Sequence, residues 1–181
     1  IKENKDKPFF VYLAHTMPHV KLAASADFKG KSAAGLYGDV VEEIDFNLGR
    51  VLDTLKEEGL DDNTYLIFTS DNGPWFLGNS KSHLKRYGKN AEAHGGSADP
   101  LRGHKTSAWE GGFRVPFIVR APGKVPAGSE SDAVTGIVDI LPTMAKLAAA
   151  ELPTDRVIDG RDLSPVPPSD VRFCLLRPPP C

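Results

Sequence analysis

Asp71 and Asn72 set a carboxylate beside a carboxamide at the end of the apolar run Tyr65-Leu66-Ile67-Phe68-Thr69, and Gly73-Pro74 turns the chain straight afterwards. In open α/β sheets, ligands bind in the crevice outside the carboxyl ends of strands. Two adjacent oxygen donors there suit a hard divalent cation such as Ca²⁺ or Mg²⁺. Taken alone, Ser70-Asp71-Asn72-Gly73 reads first as a turn, because Asp, Asn and Gly are turn residues. The histidines divide the same way. His15 and His19 bound the polar loop His15-Thr16-Met17-Pro18-His19, His83 and His94 fall in a long loop, and His104 precedes Lys105. Each by itself reads as a solvated side chain, and Lys105 as a surface lysine.

The elements that must position these residues are legible in outline. Phe9-Phe10-Val11-Tyr12-Leu13-Ala14 is a β-prone apolar run and predicts a buried strand. From Ser32 to Gly59, Leu36, Val40, Val41, Ile44, Leu48, Val51, Leu52 and Leu55 recur at helical steps. Ser32 is the expected N-cap and Gly59 the stop. Strand Tyr65–Thr69 follows, so the order is strand–helix–strand, which predicts a parallel pair with a right-handed crossover. Gly73 to Leu101 is rich in glycine, serine, lysine and histidine without periodicity, and ordered loops of that length usually serve a site. Val115–Arg120 predicts another strand, Val134–Val138 an edge strand, and Asp139 the cap of a helix reaching about Leu147, with Pro142 in its first turn. The fold class is therefore α/β, mainly parallel sheet with flanking helices. From Ser164 the proline runs 165–168 and 178–180 predict a disordered tail over residues 164–181.

The chain of 181 residues suffices for one core, and its formal net charge of -2 suggests neither a nucleic-acid-binding patch nor a polyanionic tail. No apolar stretch approaches the roughly 20 residues of a membrane span. The charged start, Ile1 to Lys7, lacks the apolar centre of a signal peptide and an initiating methionine, so the true N-terminus is expected upstream. Cys174 and Cys181 imply neither a disulfide framework nor a metal spacing.

Three segments together exceed turn chemistry: Phe9–His19, Phe68–Pro74 and Leu101–Pro116. In order and spacing they resemble the sulfatase family, the arylsulfatase-like branch of the alkaline-phosphatase superfamily. Phe9–Ala14 followed by Pro18-His19 looks like the strand that delivers an active-site histidine. Thr69-Ser70-Asp71-Asn72-Gly73-Pro74 is similar to the family's metal-binding strand end. Arg102-Gly103-His104-Lys105 through Trp109-Glu110-Gly111-Gly112-Phe113-Arg114-Val115-Pro116 looks like the segment presenting a sulfate-binding lysine. Ile137–Thr143 and Asp159-Gly160-Arg161-Asp162-Leu163 resemble the helix start and the loop that come next. The likeness runs from about Lys7 to about Pro165.

The resemblance implies an alkaline-phosphatase-like sandwich, of which residues 1–163 would be the second half of the catalytic domain. It implies Asp71 and Asn72 as ligands of Ca²⁺ (or Mg²⁺), and Lys105 on a sulfate oxygen. His19 would hydrogen-bond the ester and protonate the leaving alcohol, and His104 or His15 would line the substrate pocket or merely lie nearby. Sulfate-ester cleavage develops negative charge on the leaving oxygen, which a metal and an ammonium stabilise and an imidazolium can protonate. The implied partner is a sulfate-ester small molecule or sulfated glycan, with no nucleic acid and no membrane span. The implied compartment is secreted, lysosomal or periplasmic.

The family's formylglycine nucleophile arises from a Cys/Ser-x-Pro-x-Arg motif, which this sequence lacks; it is expected in an upstream segment. Two oxygen ligands are few for a cation that takes six to eight. The chain alone is therefore expected to bind metal poorly and to hydrolyse nothing. Missing neighbours should also leave a sheet edge and an apolar face bare. Two alternatives stay open: a metal-dependent phosphodiesterase or phosphonate hydrolase of the same superfamily, and a non-catalytic truncated remnant.

Overall fold

A computed structural model describes residues 1–77, 81–89 and 91–164. The expected disordered tail lies outside the described residues apart from Ser164. The chain divides into two compact units. One comprises Ile1–Thr64 with Asn72–Val115, the other Tyr65–Asp71 with the stretch from Pro116 onward.

The first unit is organised on helix α1, Gly35–Glu57. Its start is set by Asp39, whose carboxylate accepts the amides of Gly30 (2.7 Å), Lys31 (3.1 Å) and Ser32 (2.8 Å). Those bonds hold the Asp39 carboxyl below the usual carboxylate range, Gly30 contributing most. Ser32 is not the N-cap; its hydroxyl accepts Ala34 N–H in the preceding turn. The helix ends as its sequence predicts. Gly59, at φ +69°, donates to Lys56 O while Leu60 N–H reaches Leu55 O, a Schellman arrangement that uses the left-handed freedom of glycine. Only Val40 and Leu55 of the apolar stripe are fully buried, and Val41 stays exposed. Within the stretch expected as loop, two short helical pieces form: α2, Lys81–Tyr87, and a 3-10 turn, Ala91–His94, whose Ala91 is fully buried and which packs against α1.

The expected strand Phe9–Ala14 does not form. None of its backbone groups hydrogen-bonds another described residue, and Phe10, Val11, Tyr12 and Leu13 are 57–83% exposed. An apolar β-prone run becomes a strand only when a neighbouring strand takes its N–H and C=O groups, and none of the described residues does so.

In the second unit, β1 (Leu66–Thr69) pairs with β2 (Phe117–Arg120), Leu66 opposite Arg120 and Thr69 opposite Phe117. The pairing is antiparallel, which corrects the expected parallel β-α-β pair: β1 finds its partner after α1 rather than before it. The mainly parallel sandwich is likewise not displayed, since the sheet among the described residues has two strands. Val134–Val138 is not an edge strand; Val134 is exposed and its carbonyl accepts from the Arg161 guanidinium at 2.6 Å. Helix α4, Ile140–Leu147, follows Asp139 at the expected position, but the Asp139 side chain does not cap it, because its carboxylate is taken by other amides. The buried Asp139 carboxylate accepts Gly136 N–H and Arg161 N–H, and the Thr143 hydroxyl donates to Asp139 O while accepting Leu163 N–H. These bonds tie the 159–163 loop to the helix start. No helix among the described residues is long and apolar enough to cross a membrane.

Candidate active site

The stretch 73–77 runs as the middle segment of three. Gly73 N–H donates to Gly112 O at 2.9 Å, Pro74 O accepts Lys105 N–H at 2.9 Å, and Trp75 O accepts Gly96 N–H at 3.1 Å. The crossing at Gly73 is close enough that a Cβ there would collide with the Gly111 carbonyl, so only glycine fits. One helical turn, α3 (Glu110–Phe113), closes the other side, with Gly111 N–H on Arg102 O at 2.8 Å.

Between these crossings the loop 102–109 is knotted on itself. The Ser107 hydroxyl donates to His104 O at 2.7 Å and accepts His104 N–H at 3.1 Å. His104 Nδ1 lies 2.7 Å from Lys105 O. A carbonyl only accepts, so Nδ1 carries the hydrogen and Nε2 is left for other partners. The His104 ring stacks on Phe76, with centroids 5.5 Å apart and planes at 25°. Lys105 is half-buried, its ammonium 5.3 Å from the centroid of the Trp75 ring, with no carboxylate on it among the described residues. Arg102 lies over Trp109 at 3.6 Å. Two cations thus rest on aromatic faces, neither paired with a carboxylate among the described residues.

His19 is exposed in the same unit. Its Nδ1 donates to Val20 O at 3.0 Å, which presents Nε2 outward. The loop is anchored three residues on, where buried Leu22 gives its N–H to His94 Nδ1 at 3.0 Å. His94 is therefore a structural acceptor rather than a solvated ring. His15 lines a shallow hollow of about 230 Å³ beside Glu43 and Asn47 of α1. That hollow contains none of His19, Asn72, His104 or Lys105. His83 lies on α2, its ring 6.4 Å from Tyr87.

Asp71 ends the β1 segment of the second unit, exposed and without a hydrogen bond or ion pair among the described residues. Asn72, half-buried, opens the 73–77 stretch of the first unit. Their oxygen donors fit a hard cation by type. By number they fall short, since no three His, Cys, Asp or Glu among the described residues gather as a metal-holding group. The structure joins Pro74 to Lys105 through a backbone hydrogen bond and Phe76 to His104 through ring stacking. It shows no hydrogen bond or ring contact between His19 and Lys105. Trp75, Phe76 and Ser107 were not legible as site residues, because their partners lie across the loop crossings. Arg114 pairs with Glu110 at 3.3 Å, the structural role its position suggests.

Comparison with solved structures places the fold among sulfatase-like hydrolases. The crystal structure of Ps i-CgsB in complex with k-i-k-neocarrahexaose superposes with a TM-score of 0.73 at 33% identity, covering 90% of this chain and 34% of that one. Phosphonate monoester hydrolase SpPMH from Silicibacter pomeroyi is more distant, with a TM-score of 0.53 at 26% identity over 78% of this chain and 23% of the other. In sequence, the chain is 46% identical over 166 residues to steryl-sulfatase of Rattus norvegicus, and 40% identical over 159 residues to N-acetylgalactosamine-6-sulfatase of Canis lupus familiaris. Those matches cover 92% and 88% of this chain but 27% and 28% of the relatives, so the chain spans about a quarter of their length. The Sulfatase family profile matches residues 1–150, and the chain belongs to the sulfatase family.

Proposed function

We propose that this chain supplies the metal and leaving-group side of a sulfuric ester hydrolase whose substrate is a sulfated small molecule or sulfated glycan. The reading draws support from the family and from relatives whose names specify sterol and sugar sulfates. One observation carries it: Lys105 is half-buried, its ammonium has no carboxylate partner among the described residues, and its backbone N–H is bonded to Pro74 O, two residues after Asn72. In this reading the strand end belongs to the alkaline-phosphatase-like sandwich, completed by polypeptide beyond this chain.

Asp71 and Asn72 would hold Ca²⁺ or Mg²⁺ together with ligands from elsewhere in the fold. The bound ion supplies Lewis-acid stabilisation of sulfuryl oxygen charge. Lys105 offers an ammonium to a sulfuryl oxygen, and its aromatic surroundings lower the local dielectric, which strengthens that attraction. His19, with Nδ1 committed to Val20 O, presents Nε2 for proton donation to the departing alcohol oxygen. His104 contributes the same free edge beside Lys105 and flanks the leaving group. The nucleophile, a formylglycine hydrate in this reading, comes from outside the 181 residues, because the Cys/Ser-x-Pro-x-Arg motif is absent.

Turnover of an aryl sulfate is the test. The chain alone is expected to be inactive. In the protein completed by an N-terminal sulfatase segment, Lys105→Ala should lower kcat/KM by about 10²- to 10³-fold, and His19→Ala by roughly 10²-fold. Full activity of either variant, or turnover by the chain alone, overturns the assignment. The likeness to the phosphonate hydrolase supports a second reading, phosphoryl or phosphonyl ester hydrolysis. A kcat/KM higher for an aryl ester of a phosphonate than for aryl sulfate would select it.

A further inference from the structure

We propose that Trp75 is the positioning residue of Lys105: its indole face holds the ammonium in place without neutralising it. The inference rests on the reading of Lys105 as an anion-binding group. Lys105 Nζ stands 5.3 Å from the Trp75 centroid, and no carboxylate pairs with it among the described residues. Its backbone N–H is bonded to Pro74 O, the residue just before Trp75, so the loop crossing itself sets the side chain against the ring. A carboxylate in that place would take up the ammonium's donors and cancel the charge that attracts an anion. The quadrupole of an aromatic face attracts the cation and does neither.

The state of the indole nitrogen points the same way. Trp75 Nε1 is buried and hydrogen-bonds nothing among the described residues. Its contact with Lys105 is therefore made through the ring face and not through the N–H. Tryptophan has the strongest cation-binding face of the aromatic residues. The only other tryptophan of the chain, Trp109, carries Arg102 at 3.6 Å. Both indoles therefore serve cations of one loop, 102–109.

The test uses the full chain with its lysines reductively ¹³C-methylated, which keeps the charge on Nζ. Lys105→Arg identifies the Lys105 resonance by its disappearance. Ring current should displace that resonance upfield of lysines that face no ring; Lys124, 4.7 Å from the Tyr65 centroid, is the other lysine expected to be displaced, and Trp75→Leu should leave it unmoved. Trp75→Leu should return it to the common position, while Trp75→Phe should keep part of the displacement. Trp75→Phe also removes the unsatisfied N–H, so it should fold at least as well as the parent and carries the test should Trp75→Leu not fold. On titration with inorganic sulfate, the Lys105 resonance should respond with a half-saturation roughly tenfold lower in the parent than in Trp75→Leu, with Trp75→Phe between them. An undisplaced resonance in the parent, or one unchanged by Trp75→Leu, overturns the inference. A sulfate response equal in parent and Trp75→Leu overturns it alone. A displaced resonance that ignores sulfate in every protein removes the anion-binding reading, and the positioning role with it.

Discussion

At the scale of single residues, the site loop depends on backbones that touch. Gly73 crosses Gly111–Gly112 with no room for a methyl group, and its N–H is committed to Gly112 O. Because the obstacle is a backbone carbonyl, no side-chain rotation relieves it. Gly73→Ala should therefore cost about 1–3 kcal/mol, the usual penalty of overpacking a tight contact. A urea midpoint within error of the parent would show that the crossing is looser than described. Asp71, one bond from this region and unpaired among the described residues, was legible from its position at a strand end. The Trp75 seat of Lys105 was not, because nothing in the spacing of residues 75 and 105 announces a cation on an indole.

Among elements, α1 shows how far periodicity reaches. Its apolar steps and the stop at Gly59 agree with the helix observed over Gly35–Glu57. Its beginning does not follow from Ser32, since three amides converge on Asp39 instead. These bonds favour the ionised carboxylate and lower its pKa in the fold. A depressed carboxyl contributes stability that is present above its unfolded pKa and lost as the pH falls through the folded value. Asp39→Asn should thus lower the urea midpoint at pH 7, and the difference from the parent should close on acidification below the usual carboxylate range. A difference independent of pH would mean that the charge is not what the amides hold. The edge strand expected at Val134–Val138 failed for a comparable reason: the Val134 carbonyl found the Arg161 guanidinium, a partner invisible to β-propensity.

Over the whole molecule, the telling feature is apolar surface without a cover. The fully buried apolar residues among those described are Leu22, Val40, Leu55, Leu77, Ala91 and Ala121, none of them aromatic. Meanwhile Phe10, Val11, Tyr12 and Leu13 lie open, with their backbone unpaired among the described residues. An extended apolar segment of this kind recruits other chains. Val11→Lys with Leu13→Lys should reduce binding of a hydrophobic dye and self-association on sedimentation. The urea midpoint should stay within about 0.5 kcal/mol of the parent, as for surface changes away from packing. Unchanged dye binding would place the sticky surface elsewhere.

By itself the sequence determined what is local or written in residue type: the long helix and its glycine stop, β1 and the core of β2, the position at which α4 begins, and membership of the sulfatase family. Those features need only near neighbours or a motif. Tertiary structure decided which strands pair and in which direction, that Phe9–Ala14 finds no strand partner among the described residues, that His94 serves Leu22, and that Lys105 rests on Trp75. Each of these depends on long-range partners competing for the same backbone groups or ring faces. Hydrophobic periodicity records which face of an element is apolar, and it carries no information on what will cover that face.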